Sequence, residues 1–148
     1  KSGMLPADKK LLYVRLLVHF IGDMHQPMHT ARKDDQGGNK VKVLWFNTPS
    51  NLHQVWDEKL VEFQELSYTE YAAAINFTSK QQRDALYKQP ISEWMWNSYT
   101  LAEKIYADIK QPDQKLDYKY NYNYVAILNK QLLEAGVHLA GVLNDIFK

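Results

Sequence analysis

Between residues 7 and 22 the apolar positions do not keep to one stripe. Leu11, Leu12, Val14, Leu16, Leu17, Val18, Phe20 and Ile21 cover nearly every face of a helix opening at Ala7 or Asp8, and a helix apolar all round is predicted to be buried. Pro27 and the polar residues 30–39, with Asp34-Asp35-Gln36-Gly37-Gly38-Asn39 as turn chemistry, predict a loop. Residues 40–46 then alternate as a short strand, one arm of a hairpin or an extended loop. Asn51 is placed as the N-cap of a helix over 52–63, with Leu52, Val55, Trp56, Leu60 and Phe63 on its apolar side. Further helices are predicted over 69–75, 79–87, 91–110 and 122–147, separated by Pro90 and by Gln111-Pro112-Asp113. The pattern gives an all-α fold, a mainly helical bundle with a short β-hairpin or loop after the first helix. The tyrosine-rich run from Asp117 to Tyr124 reads as a half-exposed lead-in to the last helix.

Composition narrows this picture. The 148 residues, 45% of them hydrophobic, suffice for one domain with a genuine core, taken as residues 1–148. Eighteen basic and 17 acidic residues leave a net charge of +1, which excludes the global field that draws proteins onto duplex DNA or anionic membranes. Any affinity for phosphate must be local. The chain has no cysteine, so a metal site has to be built from imidazole and carboxylate. No apolar run approaches the ~20 residues of a membrane helix, and residues 11–21 are interrupted by Arg15 and His19. The opening Lys1-Ser2-Gly3-Met4 lacks the order of blocks of a signal peptide and reads as an internal start or a processed end.

Candidate chemistry lies in Val18-His19-Phe20-Ile21-Gly22-Asp23-Met24-His25-Gln26-Pro27-Met28-His29. His19 and Asp23 are four residues apart and share a helical face. Burying both costs several kcal/mol unless a partner satisfies them, and a divalent cation satisfies both at once. For one such pair, a buried His–Asp hydrogen bond without metal is the stronger reading. The arrangement recurs, however, as His53 and Asp57 in Asn51-Leu52-His53-Gln54-Val55-Trp56-Asp57. His29, just past the first helix, can reach the second pair from a loop. His29, His53 and Asp57 then make a two-histidine, one-carboxylate set with positions left open for water and substrate. The spacing alone leaves manganese, iron and nickel open beside zinc. An iron oxygenase uses the same ligand types, usually displayed on a β-barrel, whereas these residues sit on helices.

At these residues the chain resembles the trinuclear-zinc, single-strand-specific nucleases of the secreted fungal and plant type, the S1/P1 family. The block His19-Phe20-Ile21-Gly22-Asp23-x-His25-Gln26-Pro27-x-His29, the Gly37-Gly38-Asn39 turn and Asn51-Leu52-His53-x-Val55-Trp56-Asp57 carry the likeness, with a looser match around Trp94 and from Ala135 to Asn144. The family more often has arginine where this chain has His138. The resemblance implies a helical fold shared with zinc-dependent phospholipases C. It implies that His29, His53 and Asp57 are the complete protein ligand set of one zinc, and that His19 and Asp23 belong to the shell of a second, with Asp23 also reaching a third. His25 looks like a packing or supporting residue, and Asn39 resembles a position lining the nucleotide site, or else a loop residue tolerating unusual backbone angles. The remaining ligands of up to three zinc ions, the catalytic aspartate and the phosphate-binding arginine of the family match nothing here. The resemblance therefore assigns no catalytic residue to this chain and likens it to the C-terminal portion of such an enzyme, whose N-terminal segment is the expected partner. The implied activity is hydrolysis of phosphodiesters in single-stranded DNA or RNA, with nucleotides as further ligands, in a secreted or periplasmic setting. A phospholipase C-like lipid phosphodiesterase and a non-catalytic helical module are the alternatives.

Overall fold

The computed structural model describes residues 5–148; the reading of residues 1–4 as an internal or processed start lies outside them. The chain runs α1 (Ala7–His25), a 3-10 turn (Pro27–Thr30), β1 (Lys42–Trp45), β2 (Thr48–Asn51), α2 (Leu52–Gln54), a π turn (Val55–Lys59), α3 (Leu60–Glu62), α4 (Tyr68–Ile75), α5 (Lys80–Tyr87), α6 (Ile91–Ala107), β3 (Gln114–Leu116) and α7 (Tyr118–Ile146). This is the all-α bundle expected, with a small open sheet. β1 and β2 form the antiparallel hairpin, Val43 opposite Ser50, and β3 adds to β1 in parallel, Leu44 opposite Lys115. Three residues, Gln-Lys-Leu, hold no readable alternation, so β3 leaves no trace in the sequence pattern. The last helix starts earlier than residue 122, at the Asp117 N-cap. Tyr120 and Tyr124, one turn apart, are buried, while Tyr118 and Tyr122 face solvent.

The core lies where the hairpin, the α2–α3 segment, α6 and α7 meet. Val43, Leu52, Val55, Trp56, Leu60, Ala102, Ile105 and Leu116 are essentially inaccessible there. Asn51 closes the hairpin and starts α2: its side chain accepts the Gln54 N–H at 2.8 Å, satisfying one of the free donors of a helix N-terminus. Replacing Asn51 by alanine is expected to lower stability by about 1 kcal/mol, visible as a shifted urea midpoint with unchanged slope. An unaltered midpoint would show that this cap contributes nothing.

Helix α1 departs from expectation. It is not buried: Leu11, Leu12, Tyr13, Leu16, Val18 and Phe20 are exposed, and only Ile21 and His25 are fully covered. Val14 and Leu17, half-buried, complete a narrow stripe at three- and four-residue steps. The helix meets α7 and α6 along that stripe, and the rest of its apolar surface has no partner among the described residues. α1 also continues three residues past Gly22, which carries His25 into the interior.

Candidate metal centre

Three segments bring the ligand candidates together. Pro27, preset for the first position of a tight helical turn, starts the 3-10 turn in which His29 sits, so His29 stands on ordered structure rather than on a mobile loop. Gln26 is the N-cap of that turn: its side-chain oxygen accepts the Met28 N–H, and its amide donates to Asp57 Oδ1 at 2.6 Å. His53 lies on α2. Asp57 follows on the π turn, where the Leu60 N–H reaches back to the Val55 carbonyl; such widened turns recur at functional sites. Val55 and Trp56 are locked into the core while Asp57, next in sequence, faces outward.

His29, His53 and Asp57 each present one ligand atom within 4.8 Å of the others. Asp57 Oδ1 is 3.2 Å from His29 Nε2 and Asp57 Oδ2 is 3.0 Å from His53 Nε2, with the two rings stacked 5.0 Å apart. The opposite nitrogens are also engaged: His53 Nδ1 lies 2.8 Å from the Gly37 carbonyl oxygen, and His29 Nδ1 lies 3.1 Å from Asp23 Oδ1. A neutral imidazole carries one N–H, yet each of these rings faces an oxygen acceptor on both sides. One side of each ring then turns a lone pair toward an oxygen, unless the rings are doubly protonated, stacked cation on cation, or the facing Asp23 and Asp57 carboxyls carry protons. A divalent ion among the two Nε2 atoms and the Asp57 carboxylate removes the conflict, because Nδ1–H then donates outward and Nε2 coordinates. The donor set fits a metal on these grounds.

His19 and Asp23 sit at the edge of this cluster. His19 Nε2 is 3.3 Å from Asp23 Oδ2, and their side chains are 64% and 36% exposed. The desolvation cost that the sequence pattern suggested for this pair does not arise, because that side of α1 is open. Asp23 is shared, one oxygen toward His19 and the other toward His29. His25, by contrast, turns inward: its Nδ1–H donates to the Ile21 carbonyl at 2.7 Å, and its Nε2 is 2.8 Å from His138 Nδ1. Burial and the neighbouring His25 push His138 down to about 4, burial also lowers His25, and Trp94 stacks on the His138 ring at 4.1 Å. Both rings are neutral core elements.

A cavity of about 610 Å³ opens beside the cluster, lined among others by Asp23, His29, Arg32, Lys33, Gly37, His53 and Met95, a size suited to a small organic ligand. Asn39 lies on the adjoining turn, exposed, with its side-chain amide donating to the Gln36 carbonyl at 2.9 Å. The unusual backbone angles belong to Gln36, Gly37 and Gly38, all at positive φ, and not to Asn39. Sequence reasoning gave no part to Gln26 or to the Gly37 carbonyl. A glutamine immediately before a proline that opens a turn was the one available signal for the first; the second is main chain and leaves none.

Comparison with known proteins extends the likeness along the chain. The family described as S1/P1 Nuclease matches residues 2–148. Endonuclease 2 of Arabidopsis thaliana is 31% identical over 87% of this chain and 49% of its own length. Endonuclease 3 of the same plant is 32% identical over 88% of this chain and 50% of its own length. Nuclease P1 of Penicillium citrinum is 44% identical over 47% of the chain and 27% of its own length. The chain thus spans about half the length of the plant relatives it matches.

Proposed function

The chain belongs to the S1/P1 nuclease family, and from that premise we propose that it contributes one zinc site to an enzyme hydrolysing phosphodiesters in single-stranded DNA or RNA. The observation that carries the reading is the convergence of His29, His53 and Asp57 from separate segments on one point. These residues would hold the ion; when bound, zinc supplies Lewis acidity toward a phosphate oxygen and a nucleophilic water near neutral pH. Gln26 steadies the Asp57 carboxylate. His19 and Asp23 are assigned to the shell of a second zinc, with Asp23 also reaching a third, supported by their placement on the open edge of the cluster. Asn39 is assigned to the substrate side, on the turn adjoining a cavity whose rim carries Lys33 and the Glu103-paired Arg32.

The same reading makes residues 1–148 one domain, the C-terminal portion of a longer enzyme. The part of the relatives that this chain does not match is the proposed partner: it supplies the further ligands and covers the apolar face of α1, the helix that carries His19 and Asp23. A secreted or periplasmic setting follows from the family likeness, and no helix among the described residues is long and apolar enough to cross a membrane.

Metal analysis combined with cleavage assays tests the proposal. The zinc-loaded chain is expected to hold one tightly bound zinc, to cleave single-stranded DNA slowly and in a chelator-sensitive way, and to leave phosphatidylcholine intact. Absence of zinc binding sinks the metal centre; preferential cleavage of the lipid replaces the nuclease with a phospholipase; rapid nuclease activity refutes the need for a partner.

A further inference from the structure

The Gly37 carbonyl that fixes the His53 ring lies on a backbone segment with no regular partner strand or helix, so something else must hold it. Gln36, Gly37 and Gly38 have φ of 58°, 62° and 84°, three consecutive left-handed residues that a chain does not adopt unassisted. Glycine is required at the centre: a Cβ on Gly37 would collide with the Met28 carbonyl oxygen. Main-chain bonds close the turn, Gly37 N–H to the Arg32 carbonyl at 2.8 Å and Lys40 N–H to the Asp35 carbonyl at 3.0 Å, and the His53 N–H reaches the Gly38 carbonyl at 3.4 Å; one side chain ties the turn to the core. Asp35 Oδ1 accepts the Gly38 N–H at 2.9 Å and the Tyr106 hydroxyl at 2.8 Å, while the Gly38 carbonyl accepts the Val41 N–H at 3.1 Å.

Tyr106 comes from α6, a separate part of the core, and is itself 8% exposed. Burial first, then the Asp35 carboxylate, raises its phenol, which keeps the hydroxyl a donor. The Arg32 guanidinium covers the ring at 4.3 Å and is held by Glu103 through two hydrogen bonds of 3.0 and 2.8 Å. The route from α6 to the cluster is continuous: Tyr106 to Asp35, Asp35 to Gly38, and the adjoining Gly37 carbonyl to His53 Nδ1.

We propose that Asp35 and Tyr106 are positioning residues of the metal centre, fixing the Gly37 carbonyl so that His53 keeps its proton on Nδ1 and offers Nε2 to the ion. The inference rests on the zinc-site reading above and adds the residues that set the geometry of one ligand. Partners behind a metal-binding histidine typically govern affinity by ~10–100-fold. Asp35→Asn retains the same oxygen acceptor for both donors, Asp35→Ala removes it, and Tyr106→Phe removes one donor while leaving the ring under Arg32.

Zinc titration of the full chain in competition with a chelator, with nitrogen-15 spectra of the metal-free histidines, tests this. Asp35→Ala is expected to weaken zinc by ~10–100-fold and to mix the two His53 tautomers; Tyr106→Phe shifts both readouts the same way by less, and Asp35→Asn restores them. If Asp35→Ala does not fold, Tyr106→Phe against Asp35→Asn decides the matter. Wild-type affinity together with an unmixed His53 tautomer in Asp35→Ala, or in Tyr106→Phe where that is the variant available, overturns the positioning role. A wild-type chain that binds no zinc overturns the metal centre itself and this inference with it.

Discussion

His53→Ala is expected to abolish tight zinc binding, with an affinity loss exceeding the ~10–100-fold typical of a lost supporting partner. Among the described residues three ligand atoms converge at the cluster, so the variant leaves one imidazole and one carboxylate, a set that gives up both affinity and geometry. His53 is also the one ligand whose free nitrogen is dictated by the backbone: the Gly37 carbonyl fixes Nδ1–H at 2.8 Å and leaves Nε2 for the ion. Removing it releases Asp57 Oδ2 from its nearest partner as well. Cobalt substitution gives a direct readout, since the absorption of the bound ion reports ligand number. Wild-type cobalt spectra and zinc affinity in His53→Ala would mean that the ion binds elsewhere. His25→Ala is the informative control: its ring is 4% exposed and bonded to His138, so it should cost stability and leave the zinc stoichiometry unchanged.

The contrast between His25 and His29 marks where the sequence is legible and where it is not. The recurring His/Asp spacing, His19 with Asp23 and His53 with Asp57, is a local property of helices, and the structure keeps both pairs in contact, at 3.3 and 3.0 Å. The Asn51 cap, the hairpin and the helical bundle were legible for the same reason: each is written in neighbouring residues. Burial of α1 was not, because the apolar pattern states what a helix would accept against its faces and not what the chain supplies. The third strand and the π turn were invisible on other grounds. β3 exists through its pairing with β1, and the π turn carries Trp56 into contact with Tyr120 and Tyr124 of α7, both long-range facts. Asp35 and Tyr106 are separated by 71 residues, a distance no local pattern spans.

Trp56→Ala is the substitution expected to cost most in stability, roughly 3–5 kcal/mol, a large share of the ~5–15 kcal/mol that holds a typical domain folded. The side chain is 1% exposed; its indole N–H donates to the Tyr120 hydroxyl at 3.0 Å, and its ring meets Tyr124 edge-on at 5.4 Å. Truncation therefore leaves a cavity and an unpaired hydroxyl on a buried tyrosine. Trp56→Phe keeps most of the packing and loses the hydrogen bond, for about 1–3 kcal/mol. Because Trp56 lies between His53 and Asp57 in sequence and ties the π turn to α7, the metal site and the core share one anchor. Zinc should then stabilise the variants by mass action, by about 2.7 kcal/mol at a free concentration one hundred times the dissociation constant. Urea unfolding with and without zinc measures both quantities. A Trp56→Ala midpoint equal to the wild type would dissolve the link between core and site, and a zinc-independent midpoint in the wild type would show that folding does not build the metal centre.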